Sequence, residues 1–222
     1  EVERVRGKTE AQWRKALVAC GLGWACSWSA AEITAIVAVE PTAKKAAHTI
    51  LRSAMEASLG KAAGQTASVT VSDDLADVMR ATRSGGYDVF IGPAQVAASA
   101  LDRGYELVGA NHKSQKYVLV AAPTATAVGE LKGGRLYLPQ QDSIYTYMAR
   151  GMLNEAGLSF KDLKQVQYEK YPQAGLTALV LGSTDATVVR EDDWAEWSAA
   201  QPKAAKVLAS SQPVPGGFTV VD

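Results

Sequence analysis

The chain has 222 residues, 47% of them hydrophobic, and its 23 basic residues are balanced by 23 acidic ones. That length holds one large domain or two small ones, and the apolar fraction excludes a disordered or collagen-like chain. Zero net charge argues against nucleic acid as the main partner, because phosphate binding needs a basic face; two Cys and two His are too few for a zinc site of the usual spacing.

Residues 1–31 differ from the rest. Arg14-Lys15 precedes an apolar stretch that ends in Ser29-Ala30-Ala31. A positive region, a short apolar run and a small-x-small ending describe a secretory leader, with cleavage expected after Ala31. The competing reading is a short buried helix, but Gly21 and Gly23 would cost it about 1 kcal/mol each. Leu17-Val18-Ala19-Cys20 has the form of a lipobox, yet the apolar run between Lys15 and Cys20 is too short for membrane insertion. The leader contains both cysteines, five bases (Arg4, Arg6, Lys8, Arg14, Lys15) and three acids (Glu1, Glu3, Glu10), so residues 32–222 carry two more acids than bases. Any anion bound there is held by local groups, not by the overall field.

From residue 33 the chain alternates strand and helix. Residues 33–39 predict a strand covered on both faces, ended by Pro41. A helix follows over 43–59 with Gly60 as its C-cap, then a strand over 67–71. A second helix is predicted over 74–83, with Ser72 or Asp73 as N-cap and Gly85-Gly86 beyond its end. A third strand over 88–91 stops at Gly92-Pro93 and leads into a helix over 94–102; residues 107–110 and 117–121 are further strands. The alternation restarts with a short helix over 127–131 and a strand over 135–138. A helix over 143–156 closed by Gly157, a strand over 166–168, a helix over 173–181 and a strand over 186–189 follow. Residues 194–198 read as helix and 205–209 as extended. Two consecutive α/β groups predict two lobes, over 32–116 and 117–204, with 117–121 crossing outward and 205–222 returning to the first lobe.

Four segments then read together: DVFIGPAQVAASAL (Asp88–Leu101), ELKGGRLYLPQQDS (Glu130–Ser143), ARGMLNEAGLSFKDLKQVQY (Ala149–Tyr168) and ALVLGSTDATVV (Ala178–Val189). In this order they resemble the phosphonate-binding family of periplasmic solute-binding proteins. That resemblance, over roughly residues 33–220, implies an α/β type II periplasmic-binding-protein sandwich whose crossing strands act as hinge between two lobes. It also implies a ligand in the cleft, an ABC permease as partner and no cofactor. The function expected is that of a periplasmic, monomeric, non-enzymatic protein that captures a small oxyanion or organic anion of the phosphonate, phosphite or phosphate type. A sensor subunit signalling to a membrane kinase and the effector domain of a transcription regulator share the architecture and are the alternatives.

Anion capture in such a cleft needs hydroxyl donors and the backbone N–H groups of helix N-termini, where the macrodipole places about half a positive charge. Three loops at carboxyl ends of predicted strands offer them: Pro41-Thr42, Gly92-Pro93-Ala94-Gln95, and Asp142-Ser143-Ile144-Tyr145-Thr146. Ser143 stands in register with the hydroxyl run that the family places at this helix start, with Thr146 nearby; a plain N-cap is its other reading. Gly92 is expected to permit close backbone approach, and Tyr145 to form a hydrogen-bonding wall. Arg190 and Asp192 follow a predicted strand, where Arg190 could clamp an anion, whereas Glu191 and Asp193 read as a solvated turn. His48 and His112 lack partners at metal-ligand spacing, and no nucleophile elbow, metalloprotease or phosphate-loop motif is present.

Overall fold

The computed structural model describes residues 32–41 and 45–222, so the expected leader and Thr42 lie outside the described residues. Elements alternate from the start. β1 (Ile33–Ala38), α1 (Lys45–Ala63), β2 (Ala67–Ser72), α2 (Leu75–Ser84), β3 (Val89–Gly92), α3 (Ala94–Leu101) and β4 (Glu106–Ala110) form the first group. A two-residue strand β5 (Ser114–Gln115) leads to β6 (Tyr117–Ala121), β7 (Arg135–Pro139), α4 (Ile144–Glu155), β8 (Gln165–Glu169), α5 (Ala174–Val180), β9 (Ala186–Arg190), α6 (Glu191–Ala200) and β10 (Lys206–Ser210). The chain returns through β11 (Val214–Pro215) to β12 (Phe218–Val221).

These strands build two five-stranded sheets, ordered β2-β1-β3-β12-β4 and β10-β6-β9-β7-β8. Each has three parallel strands, then one antiparallel strand contributed by the segment on the far side of the connection, then a last strand. The lobes are therefore topological repeats: β1 corresponds to β7, β3 to β9, and β12 to β6.

Burial explains why the strands stay in register. β6 is buried at all five positions. Because successive side chains alternate across a sheet, Tyr117, Leu119 and Ala121 join the cluster under α4 with Leu138, Tyr145 and Leu153. Val118 and Val120 join the cluster under α5 and α6 with Leu176, Val189 and the Trp194–Trp197 pair. In the first sheet Ala35 and Val37 face Leu51, Met55 and Leu59 of α1, whereas Ile36 clusters with Phe90 of β3, Val78 of α2 and Val96 of α3.

Several expectations shift. Gly60 does not cap α1, which runs through Lys61-Ala62-Ala63; the left-handed residue is Gly64 (φ 68°), and Gln65 N–H bonds back to the Gly60 carbonyl, the closure of a Schellman motif. The alanines carry the helix past an interior glycine costing about 1 kcal/mol. The N-cap of α2 is Asp74, not Ser72 or Asp73; its carboxylate accepts from Ala76 and Asp77, while Ser72 Oγ receives the Asp74 N–H.

The segments 117–121 and 205–209, expected to cross between lobes, both lie in the second sheet, where β10 pairs with β6. The connection is the short antiparallel pair β5–β11. An all-buried five-residue strand belongs in a sheet interior, which is why β6 cannot be a bare connector. The return to the first sheet falls at Phe218–Val221, a strand not anticipated from the sequence.

Arg135 and Asp185 pin the far end of the second sheet. The Asp185 carboxylate accepts the Arg135 backbone N–H at 2.7 Å and both guanidinium donors at 3.0–3.1 Å, and these bonds hold its pKa below the ordinary carboxylate range. Among the described residues no helix is long and apolar enough to cross a membrane, and no cluster of His, Cys, Asp or Glu is arranged to hold a metal ion.

Candidate functional site

The carboxyl ends of β1, β3, β7 and β9 face one another, and the loops leaving them enclose a cleft of about 660 Å³ between the sheets. The first lobe supplies Ala38–Pro41 after β1, Ile91–Pro93 after β3, and the turn entering β12. The second supplies Tyr117 from β6, Pro139, Gln140 and Ser143–Tyr145 around the start of α4, and Arg190 at the end of β9. Arg190 is the N-cap residue of α6, in extended conformation, so the chain turns into the helix directly behind the guanidinium.

Among the described residues, one charged group faces this space from each lobe. The Glu40 carboxylate of the first lobe accepts the Tyr145 hydroxyl at 2.9 Å and lies 3.4 Å from Arg190 Nη2. Arg190 Nε donates to Asp193 at 2.9 Å. Burial works against the Arg190 charge, but Glu40, Tyr145 and Asp193 outweigh it and raise its pKa above the ordinary value. Burial, reinforced by Glu40, raises the Tyr145 phenol and pushes Tyr117 up to about 12. Both phenols therefore remain protonated donors at neutral pH. Their rings meet edge to face, centroids 5.2 Å apart.

Of the residues singled out in the sequence, Pro41, Gly92, Pro93, Ser143, Ile144, Tyr145 and Arg190 line the cleft, and Thr42 lies outside the described residues. The others do different work. Ala94 packs on the apolar cluster of the opposite lobe. Gln95 is only 6% exposed, and its amide donates to the Asp142 carbonyl across the lobes at 2.9 Å. The Thr146 hydroxyl is spent on the Gln140 carbonyl at 3.0 Å. Asp192 sits in an adjoining depression with Lys116 and Glu191 that shares Gln115 and Arg190 with the cleft; Asp193, three residues beyond Arg190, is the one that reaches the guanidinium.

Ser143 is the N-cap residue of α4, but its side chain makes no capping bond. Its hydroxyl donates to the Pro139 carbonyl, so its proton is committed to the turn before the helix. Gly92 lines the cleft and is also constrained from behind: a Cβ there would meet Ala38 Cβ at 3.1 Å and Val96 Cβ at 3.4 Å, so a larger residue strains packing within the first lobe.

Glu40 and Gln140 were missed. Glu40 carries no motif and gains its role from partners 105 and 150 positions away. Gln140 is the one non-glycine residue among those described with positive φ, at 41°. Its side chain spans to the first lobe, where Oε1 accepts Leu75 N–H at the start of α2 and Nε2 donates to the Asp73 carbonyl, both at 3.0 Å. Lys170 adds an ion pair to Asp73 at 3.1 Å. A non-glycine left-handed residue was the available signal, and it is visible only in the backbone.

Comparisons with known proteins agree with this architecture. No curated protein matches the chain by sequence. Among solved structures, PhnD1 from Prochlorococcus marinus in complex with methylphosphonate is 14% identical, with a TM-score of 0.65 over 86% of this chain and 76% of that one. A binding-protein component of an ABC phosphonate transporter from Pseudomonas aeruginosa is also 14% identical (TM-score 0.61; 86% and 68% covered), and the periplasmic aliphatic sulphonate-binding protein SsuA from Escherichia coli is 19% identical (0.57; 86% and 64%). These likenesses identify the fold as the type II periplasmic-binding-protein sandwich. The family model described as "ABC transporter, phosphonate, periplasmic substrate-binding protein" matches residues 36–222, and the chain belongs to that family.

Proposed function

We propose that this protein captures one small oxyanion of the phosphonate or sulfonate type in the cleft and presents it to the permease of an ABC importer. The observation that carries the reading is the placement of Arg190 and Tyr145 beside the first turn of α4: a guanidinium, a phenol donor and the N-terminal end of a helix converge on one space. Methylphosphonate, bound in PhnD1, and the aliphatic sulphonates for which SsuA is named are oxyanions of this chemistry. The lobes close about the β5–β11 connection, and the closed form is what the permease meets. The protein acts as a monomer, and the balance of acids and bases favours a partner other than nucleic acid.

Ligand binding stabilises the native state by about 2.7 kcal/mol at a hundredfold excess over Kd. In a thermal-shift series of methylphosphonate, phosphate, alkylsulfonates, carboxylates and arginine, at least one phosphonate or sulfonate is expected to raise Tm clearly. A flat response to every oxyanion with a rise for arginine would overturn the reading. Export is part of the same reading. N-terminal sequencing of protein from a periplasmic extract is expected to begin at Glu32, and a chain retaining Trp24 or lipidated at Cys20 would contradict it.

A further inference from the structure

Glu40 has the wrong sign for the ligand class proposed above, yet it occupies the best-equipped place in the cleft. It leaves the end of β1 in the first lobe, and the second lobe holds both of its oxygens: the Tyr145 hydroxyl donates to Oε1 at 2.9 Å, and Arg190 Nη2 lies 3.4 Å from Oε2. A phenol donor and a guanidinium are what an incoming oxyanion requires. Arg190 is the one cation among the described residues lining the cleft, and its Nε is already taken by Asp193. An oxyanion that reached Arg190 with Glu40 still in place would set two like charges a few ångströms apart, in a partly desolvated space where charges interact more strongly than in water.

We infer that the Glu40 carboxylate is an internal stand-in for the ligand's anionic group, displaced from Arg190 and Tyr145 on binding, and that this competition sets the affinity and charge preference of the cleft. The inference rests on the oxyanion reading above and goes beyond it by naming the residue that grades the ligands. Glu40 is about one-third exposed, so it has room to turn toward solvent when a ligand takes its partners. Every ligand must first break the Glu40 contacts, which lowers its apparent affinity by the fraction of molecules in which they stand. Doubly charged ligands are penalised more than singly charged ones, because residual repulsion from Glu40 grows with ligand charge. The same contacts tie the lobes together without ligand.

Calorimetric titration of wild type, Glu40→Gln and Glu40→Ala tests this, with methanesulfonate as a permanent monoanion and methylphosphonate at a pH where it is a dianion. Glu40→Ala is expected to bind methylphosphonate about ten- to a hundredfold more tightly than wild type, the range for one hydrogen bond to a charged group. Glu40→Gln gains less, since its amide oxygen still accepts from Tyr145, and in both variants the gain is larger for methylphosphonate than for methanesulfonate. Binding by Glu40→Ala where wild type shows none supports the inference equally. Unchanged or weaker binding in both variants overturns it and makes Glu40 a ligand contact or a structural tie, while the oxyanion reading stands. If neither wild type nor variant binds any oxyanion, both fall together, and the arginine arm of the thermal series shows that the ligand class was at fault.

Discussion

Arg190→Ala is expected to weaken oxyanion binding roughly thirtyfold to a few thousandfold. Truncating one member of a desolvated, hydrogen-bonded charge pair costs about 2–5 kcal/mol, much of it from the partner left behind. Here two partners are left, Glu40 and Asp193, both within reach of the vacated guanidinium. The loss should therefore exceed that of a single contact, and Arg190→Ala combined with Glu40→Ala should lose less than Arg190→Ala alone. Arg190→Lys keeps the charge but not the fork that lets one side chain bond Asp193 and reach the cleft together, so it should recover only part of the affinity. Titration with methylphosphonate measures all three; wild-type affinity in Arg190→Ala would remove the ligand from this end of the cleft.

The largest stability effect is expected at Gly175. The short helix α5 lies so close to the second sheet that a Cβ on Gly175 would sit 2.1 Å from Thr187 Oγ1 and 2.9 Å from the Tyr137 ring. Thr187 cannot readily move: it is fully buried, and its hydroxyl donates to the Tyr137 carbonyl at 3.1 Å. Gly175→Ala is expected to cost about 3 kcal/mol, the upper end for overpacking, against the roughly 1 kcal/mol gained by replacing glycine in an unhindered helix. Thr187→Ala in the same chain vacates the space and should restore part of the loss in denaturant unfolding. A Gly175→Ala variant as stable as wild type would show that α5 can lift from the sheet at little cost.

How much of this was legible depends on how local the determinants are. β1 and β3 could be read because their β-branched runs are buried on both faces, and the site loops because ligands in open α/β sheets sit at strand carboxyl ends. Arg190 was found by that rule. What was not legible depends on the opposite lobe. Glu40 reads as a lone acid between Val39 and Pro41, and nothing in its neighbourhood announces Tyr145. Ser143 and Thr146 read as donors for a ligand, whereas both hydroxyls are consumed by carbonyls of the turn that holds Gln140 in its left-handed conformation. Asp192 and Asp193 cannot be told apart until the helix starting at Glu191 fixes which one turns back toward Arg190. The connection was misplaced because β5 and β11 are two residues each, too short for any periodicity, while the conspicuous run at 117–121 belongs to a sheet interior.

The position of β12 bears on how the chain is made. Every strand of the second sheet comes from the continuous segment 117–210, so that sheet can pair as soon as this segment leaves the ribosome. The first sheet cannot: β12 lies between β3 and β4, and until residues 218–221 emerge both strands present open edges. Such edges, one of them bearing the exposed pair Leu107 and Val108, are sites for mispairing with other chains. The lobe synthesised first is thus the lobe finished last, and for more than a hundred residues of synthesis its unpaired strands depend on delay or on outside protection.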